Sequence, residues 1–222
     1  MIAAVIPALN AERSIATVVA ATRRHVEAVI VVDDGSSDAT GEVARAVGAT
    51  VLRHDVNRGK GAALKTGFGW ALDHHFHAVI TLDADGQHLP DEVPKFIHEF
   101  QSSRADLIIG GRAHLFEDMV PIRRLANRLS AWCIAKSAGA PIADSQSGFR
   151  LYSARLLRAV DLRTDGFDME SEIIVRAGRR GFRIVTIPIE LGFVNGIATS
   201  HYKPLKDTLR IAWTVTRARL FW

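Results

Sequence analysis

The feature of this 222-residue sequence that most constrains its fold is the alternation of short apolar runs with longer amphipathic stretches. The runs are apolar toward both faces, which predicts the strands of a buried parallel sheet. These strands are predicted at Ile2–Ile6, Ala28–Val32, Thr50–Leu52, Ala78–Leu82 and Asp106–Ile109. Helices are predicted between them at Glu12–Val26, Asp38–Val47, Lys60–Asp73 and Pro90–Ser102. The βαβα order predicts a doubly wound α/β domain with a mostly parallel sheet, whose ligands bind at the carboxyl ends of the strands.

The pattern changes after Arg112. A basic amphipathic helix is predicted at Pro121–Ser137, followed by a loop at Gly139–Gly148 and a strand at Phe149–Tyr152. A further helix is predicted at Met169–Gly178 and a further strand at Phe182–Ile189. No internal repeat or low-complexity linker interrupts them. We therefore predict a single domain over residues 1–202, followed by a basic amphipathic C-terminal helix over residues 203–222.

Charge is distributed unevenly along the chain. Residues 1–111 carry 10 basic and 14 acidic side chains, whereas residues 112–222 carry 18 and 10. A composition of 48% hydrophobic and 23% charged residues excludes intrinsic disorder. The asymmetry predicts one half that handles a cation and another that meets anions or an anionic surface. Nucleic acid is not the expected partner, because the basic residues are interleaved with apolar helix faces.

Cys133 is the only cysteine, so no disulfide framework or cysteine-based zinc site is expected. The opening apolar run is short and lacks the basic flank of a signal peptide. No stretch of the sequence is apolar for long enough to span a bilayer. These features predict a cytoplasmic protein.

Two acidic clusters follow predicted strands. Asp33 and Asp34 end the second strand, where they could bind a nucleobase or ribose, or form a helix cap with the following residues. Asp83 and Asp85 leave the fourth strand at i and i+2 before a glycine. Such a pair can converge on Mg²⁺ or Mn²⁺, which take carboxylate oxygens together with substrate phosphates; a solvated turn is the alternative.

Two further segments carry polar chemistry. Residues 57–61 read Asn-Arg-Gly-Lys-Gly, which could bring backbone N–H groups and Lys60 to an anion or form a plain glycine-rich turn. The run Asp144 to Arg150 joins an acid, hydroxyl groups and a guanidinium at the start of a strand. Structural capping explains Asp144 about as well as catalysis does.

Taken together, these motifs resemble the inverting glycosyltransferases of family 2. The residues that carry the resemblance are IPALNAE at 6–12, VVDDGSSD at 31–38, NRGKG at 57–61, LDADGQH at 82–88, GGR at 110–112 and DSQSGFRLY at 144–152. Within that family the motifs are similar to those of dolichyl-phosphate mannosyltransferases and bacterial polyprenyl-phosphate glycosyltransferases. The resemblance implies a GT-A, Rossmann-like fold with a nucleotide- and metal-binding half at residues 1–111 and an acceptor half at residues 112–202.

The resemblance also implies roles for individual residues. The nucleotide would be bound by Pro7, Asn10, Glu12, Asp33, Asp34, Lys60, Asp83 and Ala84. The divalent cation, Mg²⁺ or Mn²⁺, would be held by Asp83 and Asp85 with help from Gln87. Arg112 and Arg150 would lie near the phosphates of the donor or of an acceptor. Near the end of the match, where relatives carry a basic signature, this chain has Ser200, His201 and Lys203 as candidate phosphate or acceptor contacts.

The implied reaction moves a sugar from a nucleotide-sugar donor to a lipid-linked phosphate or a glycan. A lipid phosphate needs no general base, whereas a hydroxyl acceptor requires one, for which Asp144, Asp168 and Glu170 are candidates. The basic, tryptophan-bearing stretches at 121–137 and 203–222 predict peripheral contact with the cytoplasmic face of a cell-envelope membrane. They could instead pack on the core or on a second subunit. A soluble transferase, a nucleotidyltransferase and a non-catalytic nucleotide-sugar-binding subunit are the competing hypotheses.

Overall fold

The computed structural model describes residues 1–112, 121–192, 213, 214, 216 and 217, with the side chains of residues 121–129 excepted. Seven strands in the described ranges form one sheet. They are β1 (Ile2–Ala8), β2 (Ala28–Asp33), β3 (Thr50–Arg53), β4 (Ala78–Thr81), β5 (Leu107–Gly111), β6 (Arg150–Ser153) and β7 (Ile184–Pro188). Their order across the sheet is β3-β2-β1-β4-β6-β5-β7.

The sheet is mostly parallel, as predicted. Strands β1 to β4 pair in parallel, and β7 pairs in parallel with β5. Strand β6 is the exception, because it lies antiparallel between β4 and β5. Its first residue, Arg150, is therefore paired with Thr81 at the end of β4. This pairing brings the loop before β6 to the carboxyl edge of the parallel strands.

The helices cover both faces of the sheet. They are α1 (Ile15–Thr22), α2 (Thr40–Ala46), α3 (Lys60–Asp73), α4 (Val93–Ser103), α5 (Pro121–Ala138), α6 (Ala154–Ala159) and α7 (Met169–Arg179). A short 3₁₀ turn, Pro90–Glu92, leads into α4. Helix α6 was not expected from the sequence; Ser153 caps it by accepting a hydrogen bond from the Leu156 amide.

Alternate residues of β1 face opposite sides of the sheet, and both sides are buried. Ala3 and Val5 pack in one apolar cluster with residues of α3, α5 and α7. Ala4 and Ile6 pack in the other cluster with residues of α1 and α4. Burial on both faces explains why the strand is apolar throughout instead of alternating. Strand β3, at the edge, is only partly covered.

The second half follows the prediction in outline. In α5 the described part buries Ala131, Ile134 and Ala138, whereas Trp132 is 58% exposed. The predicted tail contacts Ser200, His201 and Lys203 lie outside the described residues, as does most of the predicted helix over residues 203–222. The four described residues of that segment are helical. Within the described part of the chain, no helix has both the length and the hydropathy to cross a bilayer.

Candidate active site

The polar residues singled out in the sequence gather at the carboxyl edge of the sheet. Asp33 ends β2, and Asp83 and Asp85 follow β4. The antiparallel direction of β6 adds the 144–149 loop to the same edge. A ligand at this edge would lie over the strand ends, where open α/β sheets bind their ligands.

Lys60 joins two carboxylates of the site. Its Nζ lies 2.7 Å from Asp83 Oδ1 and 3.2 Å from Glu170 Oε2. Burial alone would lower the pKa of Lys60, but the two carboxylates outweigh burial and raise it. Burial alone would raise the pKa of Asp83, and the Lys60 ammonium instead lowers it to about 2. Lys60 and Asp83 are therefore both charged at neutral pH.

Asp85 has fewer partners. Its Oδ1 accepts a hydrogen bond from the Gln87 amide at 2.9 Å. Burial raises the pKa of Asp85, and the neighbouring negative charge of Asp83 adds to that rise. The two carboxylates thus repel each other, and a shared cation would relieve the repulsion.

His88 is a site residue that the sequence analysis missed. The Asp83 amide donates to His88 Nδ1 at 3.0 Å, so this nitrogen carries no proton. Burial lowers the pKa of His88 to about 4, and the ring is neutral at pH 7. The neutral ring fixes the backbone of Asp83 without adding charge to the carboxylate pair. Its place five residues after Asp83, beyond the glycine turn, was the available clue.

Arg112 and Asp144 form a bidentate pair. Arg112 Nε lies 2.8 Å from Asp144 Oδ2, and Nη2 lies 3.3 Å from Oδ1. Burial would raise the pKa of Asp144, but the Arg112 guanidinium and backbone hydrogen bonds lower it. The pair fixes the orientation of the guanidinium beside the Asp83 cluster.

Arg150 was expected near a phosphate, and the structure places it in the interior. The side chain is fully buried, and its guanidinium donates to the backbone carbonyls of Ser147, Glu170 and Ser145 at 2.7, 2.5 and 2.9 Å. These bonds tie the loop that carries Asp144 to the first turn of α7. In this structure, Arg150 positions the site and does not line it.

Asp34 organises the glycine-rich turn at residues 57–61. Its Oδ1 accepts from His54 Nδ1 at 2.6 Å and from the Arg58 amide at 2.9 Å, and its Oδ2 accepts from the Gly59 amide at 2.8 Å. The Ala62 amide is bound to the Asp165 carbonyl. Since these amides are already occupied, the structure favours the plain turn over an anion-binding loop. Lys60 is the residue of the turn that reaches the site.

The loops after β1 and β2 are joined to each other. Asn10 Oδ1 accepts from the Ser37 amide at 2.9 Å, and Glu12 Oε2 accepts from the Ala39 amide at 3.2 Å. Asp33 is buried, accepts from the Ser36 amide and pairs with Arg53 at 3.2 Å. Pro7 is half-buried within β1. The predicted nucleoside contacts are thus brought together in space.

The remaining predicted residues lie around this cluster. Ala84 is buried, and its carbonyl accepts from Ser14 Oγ at 2.6 Å. Gln87 is half-buried beside Asp85. Asp168 is buried at the start of α7 and accepts from Thr214 Oγ1 at 2.8 Å. Glu172, which was not among the predicted residues, is not turned to the site, because Arg176 and the backbone amides of residues 163 and 164 occupy its carboxylate.

Comparison with known proteins agrees with this geometry. The family model described as glycosyl transferase family 2 matches residues 3–161. The chain is a family 2 glycosyltransferase.

This glycosyltransferase has relatives that act on lipid phosphates, as their names state. It is 32% identical over 178 residues to the undecaprenyl-phosphate mannosyltransferase of Micrococcus luteus, covering 72% of this chain and 70% of the relative. It is 28% identical over 209 residues to the UDP-N-acetylglucosamine–dolichyl-phosphate N-acetylglucosaminyltransferase of Methanococcus voltae, covering 84% and 83% of the two chains.

A solved structure confirms the fold of this glycosyltransferase. Glucosyl-3-phosphoglycerate synthase from Mycobacterium tuberculosis, in complex with Mn²⁺, UDP and phosphoglyceric acid, superposes with a TM-score of 0.78. The alignment covers 99% of this chain and 78% of the synthase at 20% identity. The predicted GT-A-like single-domain fold is therefore confirmed.

The donor atoms of this glycosyltransferase fit a hard divalent cation. Among the described residues, no three histidine, cysteine, aspartate or glutamate side chains gather as a metal-binding group. Asp83 and Asp85 supply two carboxylates that repel each other, and such cations are commonly bound by one or two carboxylates completed by substrate phosphates. The pair therefore suits a cation that arrives with a phosphorylated substrate.

Proposed function

We propose that this enzyme transfers a sugar, with inversion, from a nucleotide-sugar donor to a polyprenyl phosphate or another lipid-linked acceptor at a membrane surface. The observation that carries the proposal is the placement of Asp83 and Asp85 at the end of β4, with Lys60 and Arg112 beside them. Two carboxylates for a cation, next to an ammonium and a guanidinium, suit a diphosphate that becomes more negative as it leaves.

The donor would lie across the strand ends. Its nucleoside would meet Asn10, Glu12 and Asp33, and its diphosphate would meet the Asp83 and Asp85 side of the site. A divalent cation held by Asp83 and Asp85, with Gln87 nearby, would neutralise charge on the diphosphate. Lys60 and Arg112 would orient the phosphates and hold them against the strand ends.

The chemical step is a displacement at the anomeric carbon. The bond from that carbon to the diphosphate oxygen breaks, and a bond from the acceptor oxygen forms on the opposite face of the sugar. The nucleoside diphosphate leaves with the electron pair. A phosphate acceptor is already an anion at neutral pH, so no side chain has to remove a proton.

Two observations support a lipid-linked acceptor. The relatives named above carry undecaprenyl phosphate and dolichyl phosphate in their names. The structure also exposes aromatic and basic side chains together. Trp132 lies under Lys136 at 5.1 Å, and Trp213, 64% exposed, lies under Arg217 at 5.9 Å. Exposed tryptophan beside a cation is suited to the interface of an anionic membrane.

A hydroxyl acceptor is the second candidate, and one observation favours it. Asp144 is committed to Arg112, and Asp168 accepts from Thr214. Glu170 pairs with Lys60 through Oε2, but its Oε1 is buried without a hydrogen-bond partner within the described part of the chain. Of these three carboxylates, Glu170 is the one we would assign as general base for a hydroxyl.

A thermal-shift screen tests the donor assignment. UDP-, GDP- and CDP-sugars are added with and without Mn²⁺ or Mg²⁺, and one donor is expected to raise the melting temperature most when the cation is present. Incubation of that donor with a polyprenyl phosphate should then give a lipid-linked sugar. Absence of any cation-dependent stabilisation would refute the proposal. Transfer to hydroxyl acceptors that is abolished by Glu170→Gln would favour the second candidate.

Membrane contact is tested by pelleting with anionic vesicles. Binding is expected at low salt and should weaken at high salt, because exposed charges are screened. At low salt, the Trp132→Ala variant should bind the vesicles more weakly than the wild type does. Substitution of the half-buried Trp70 tests whether the loss of any tryptophan has the same effect. Equal recovery in the soluble fraction at all salt concentrations would contradict the membrane assignment.

A further inference from the structure

The contact between Lys60 and Asp83 is built into a crowded part of the site. Lys60 is the first residue of α3, and its Nζ reaches Asp83 Oδ1 at 2.7 Å. Gly148 packs against both groups, since a Cβ at this position would lie 2.8 Å from Lys60 Nζ and 2.8 Å from Asp83 Oδ2. The Lys60 side chain is 15% exposed and that of Asp83 is 31% exposed. The ion pair is therefore only partly screened by water.

This ion pair competes with the role assigned to Asp83. A carboxylate that already holds an ammonium attracts a divalent cation less, and the two positive charges repel each other if both remain. Such repulsion is strong where burial keeps the effective dielectric constant low. Lys60 is thus expected to oppose binding of a cation that arrives without a counter-charge.

Glu170 offers Lys60 a second position. Its Oε2 is 3.2 Å from Lys60 Nζ. Its Oε1 is buried and has no hydrogen-bond partner among the described residues. A small rotation of the lysine would strengthen the contact with Glu170 and release Asp83. The side chain therefore has a destination that leaves its charge compensated.

We propose that Lys60 is the resident counter-ion of Asp83, and that it moves toward Glu170 and the donor diphosphate when Asp83 and Asp85 take a divalent cation. The inference rests on the proposed function, which supplies the cation and the diphosphate. Lys60 then couples binding of the cation to binding of the diphosphate. The cation alone binds weakly. The diphosphate strengthens cation binding, because its negative charge compensates the released ammonium. By linkage, the cation strengthens nucleotide binding by the same factor.

The test measures Mn²⁺ binding directly, through the electron paramagnetic resonance signal of free Mn²⁺. Titrations are run with Mn²⁺ alone and with UDP or GDP, whichever stabilises the protein. In Lys60→Gln the affinity for Mn²⁺ alone should rise by about tenfold or more, because one nearby positive charge is gone. The factor by which the nucleoside diphosphate strengthens Mn²⁺ binding should shrink correspondingly.

Two variants serve as controls. Lys60→Arg keeps the positive charge and should bind Mn²⁺ alone about as weakly as the wild type. Lys65→Gln removes a lysine from the same helix, but Lys65 pairs with the half-exposed Asp165 and not with Asp83. It should leave both titrations unchanged. Lys60→Met repeats the test with a side chain of similar length if the glutamine variant does not fold.

The outcomes separate this inference from the proposed function. A folded Lys60→Gln or Lys60→Met protein that binds Mn²⁺ alone with wild-type or lower affinity overturns the counter-ion role. An effect of Lys65→Gln equal to that of Lys60→Gln overturns it as well. If the wild type binds no Mn²⁺ even with the nucleoside diphosphates, the proposed function fails, and this inference fails with it.

Discussion

Two acidic strand ends of this glycosyltransferase are similar in sequence and different in structure. Asp33 ends β2 and Asp34 follows it, whereas Asp83 and Asp85 follow β4; each pair precedes a glycine. The first pair is buried and held by partners within the protein, including amides of the two following loops. The second pair is half-buried, mutually repulsive and partnered by a lysine that has another carboxylate within reach.

The difference shows what an acidic strand end can be used for. At β2 the carboxylates accept N–H groups that would otherwise lack partners, which stabilises the turns around the proposed donor site. After β4 the negative charges of Asp83 and Asp85 are only partly compensated, which suits a cation that binds and dissociates. Substitutions at the two ends should therefore separate stability from chemistry.

The largest effect is expected for Asp85→Asn. Removing one carboxylate of the proposed cation site should lower kcat/KM by about 10³-fold, since charge stabilisation of a leaving group is worth several kcal/mol. The melting temperature should stay the same or rise, because burial and Asp83 already disfavour the charge of Asp85. Product formation and thermal unfolding, measured on the same preparation, check both statements.

The control for Asp85→Asn is Asp91→Asn, which removes a carboxylate that is 89% exposed. Both activity and stability should be retained. An Asp85→Asn enzyme that keeps most of its activity would show that the β4 end is not the reactive one.

The opposite result is expected for Asp34→Asn. The amide nitrogen would face N–H donors that now find a carboxylate, and the free energy of unfolding should fall by about 3 kcal/mol. Denaturant unfolding measures the loss. Donor affinity, measured where the variant is still folded, tests the nucleoside contact that the family resemblance implies for Asp34. Unchanged stability would contradict the role of Asp34 in holding the 57–61 turn.

Some elements of the fold could be predicted from the sequence alone, and others could not. Apolar runs predicted β1, β2 and β4 to within two residues, because strands buried on both faces have few polar positions. Helix α6 was missed, since its six residues are too few to show a helical period. The antiparallel placement of β6 was also missed, because it depends on pairing with strands more than 40 residues earlier in the chain.

The sequence could suggest which residues lie at the candidate site, but not which groups their side chains contact. The spacing of Asp83 and Asp85 after a strand allowed a cation site or a solvated turn, and the family resemblance favoured the cation site. Nothing local in the sequence joins Lys60 to Glu170 or sends Arg150 inward to three backbone carbonyls. Those contacts form between residues brought together only by tertiary packing, and they decide whether a polar side chain lines the site or supports it.

A smaller effect with a pH signature is expected for Asp144→Asn, which breaks the buried pair with Arg112 and should cost about 2 kcal/mol at pH 7. The pKa of Asp144 in the folded protein lies below its ordinary value of 3.8. The pair therefore stabilises the fold above about pH 4 and loses this contribution as the pH falls through the lowered pKa. The stability difference between wild type and variant should shrink from pH 7 to pH 3, as measured by urea unfolding. A difference that does not depend on pH would contradict the ion pair.

The smallest effects are expected for alanine substitutions at two glycines, each of which lies against one carboxylate. The two substitutions can be compared directly. A Cβ at Gly41 would lie 2.7 Å from Asp33 Oδ2, and a Cβ at Gly148 would lie 2.8 Å from Asp83 Oδ2. Asp33 is held by Arg53 and Ser36, so Gly41→Ala should destabilise the protein by about 1 kcal/mol despite the better helix propensity of alanine.

Gly148→Ala meets groups that can move, because Lys60 can turn from Asp83 to Glu170. Its stability should change by less than that of Gly41→Ala, whereas its Mn²⁺ binding should change more. Unfolding and Mn²⁺ titration give the stability and the Mn²⁺ affinity of each of the two variants. A larger loss of stability in Gly148→Ala would mean that the β4 end is as rigid as the β2 end, and that Lys60 is a fixed structural partner of Asp83.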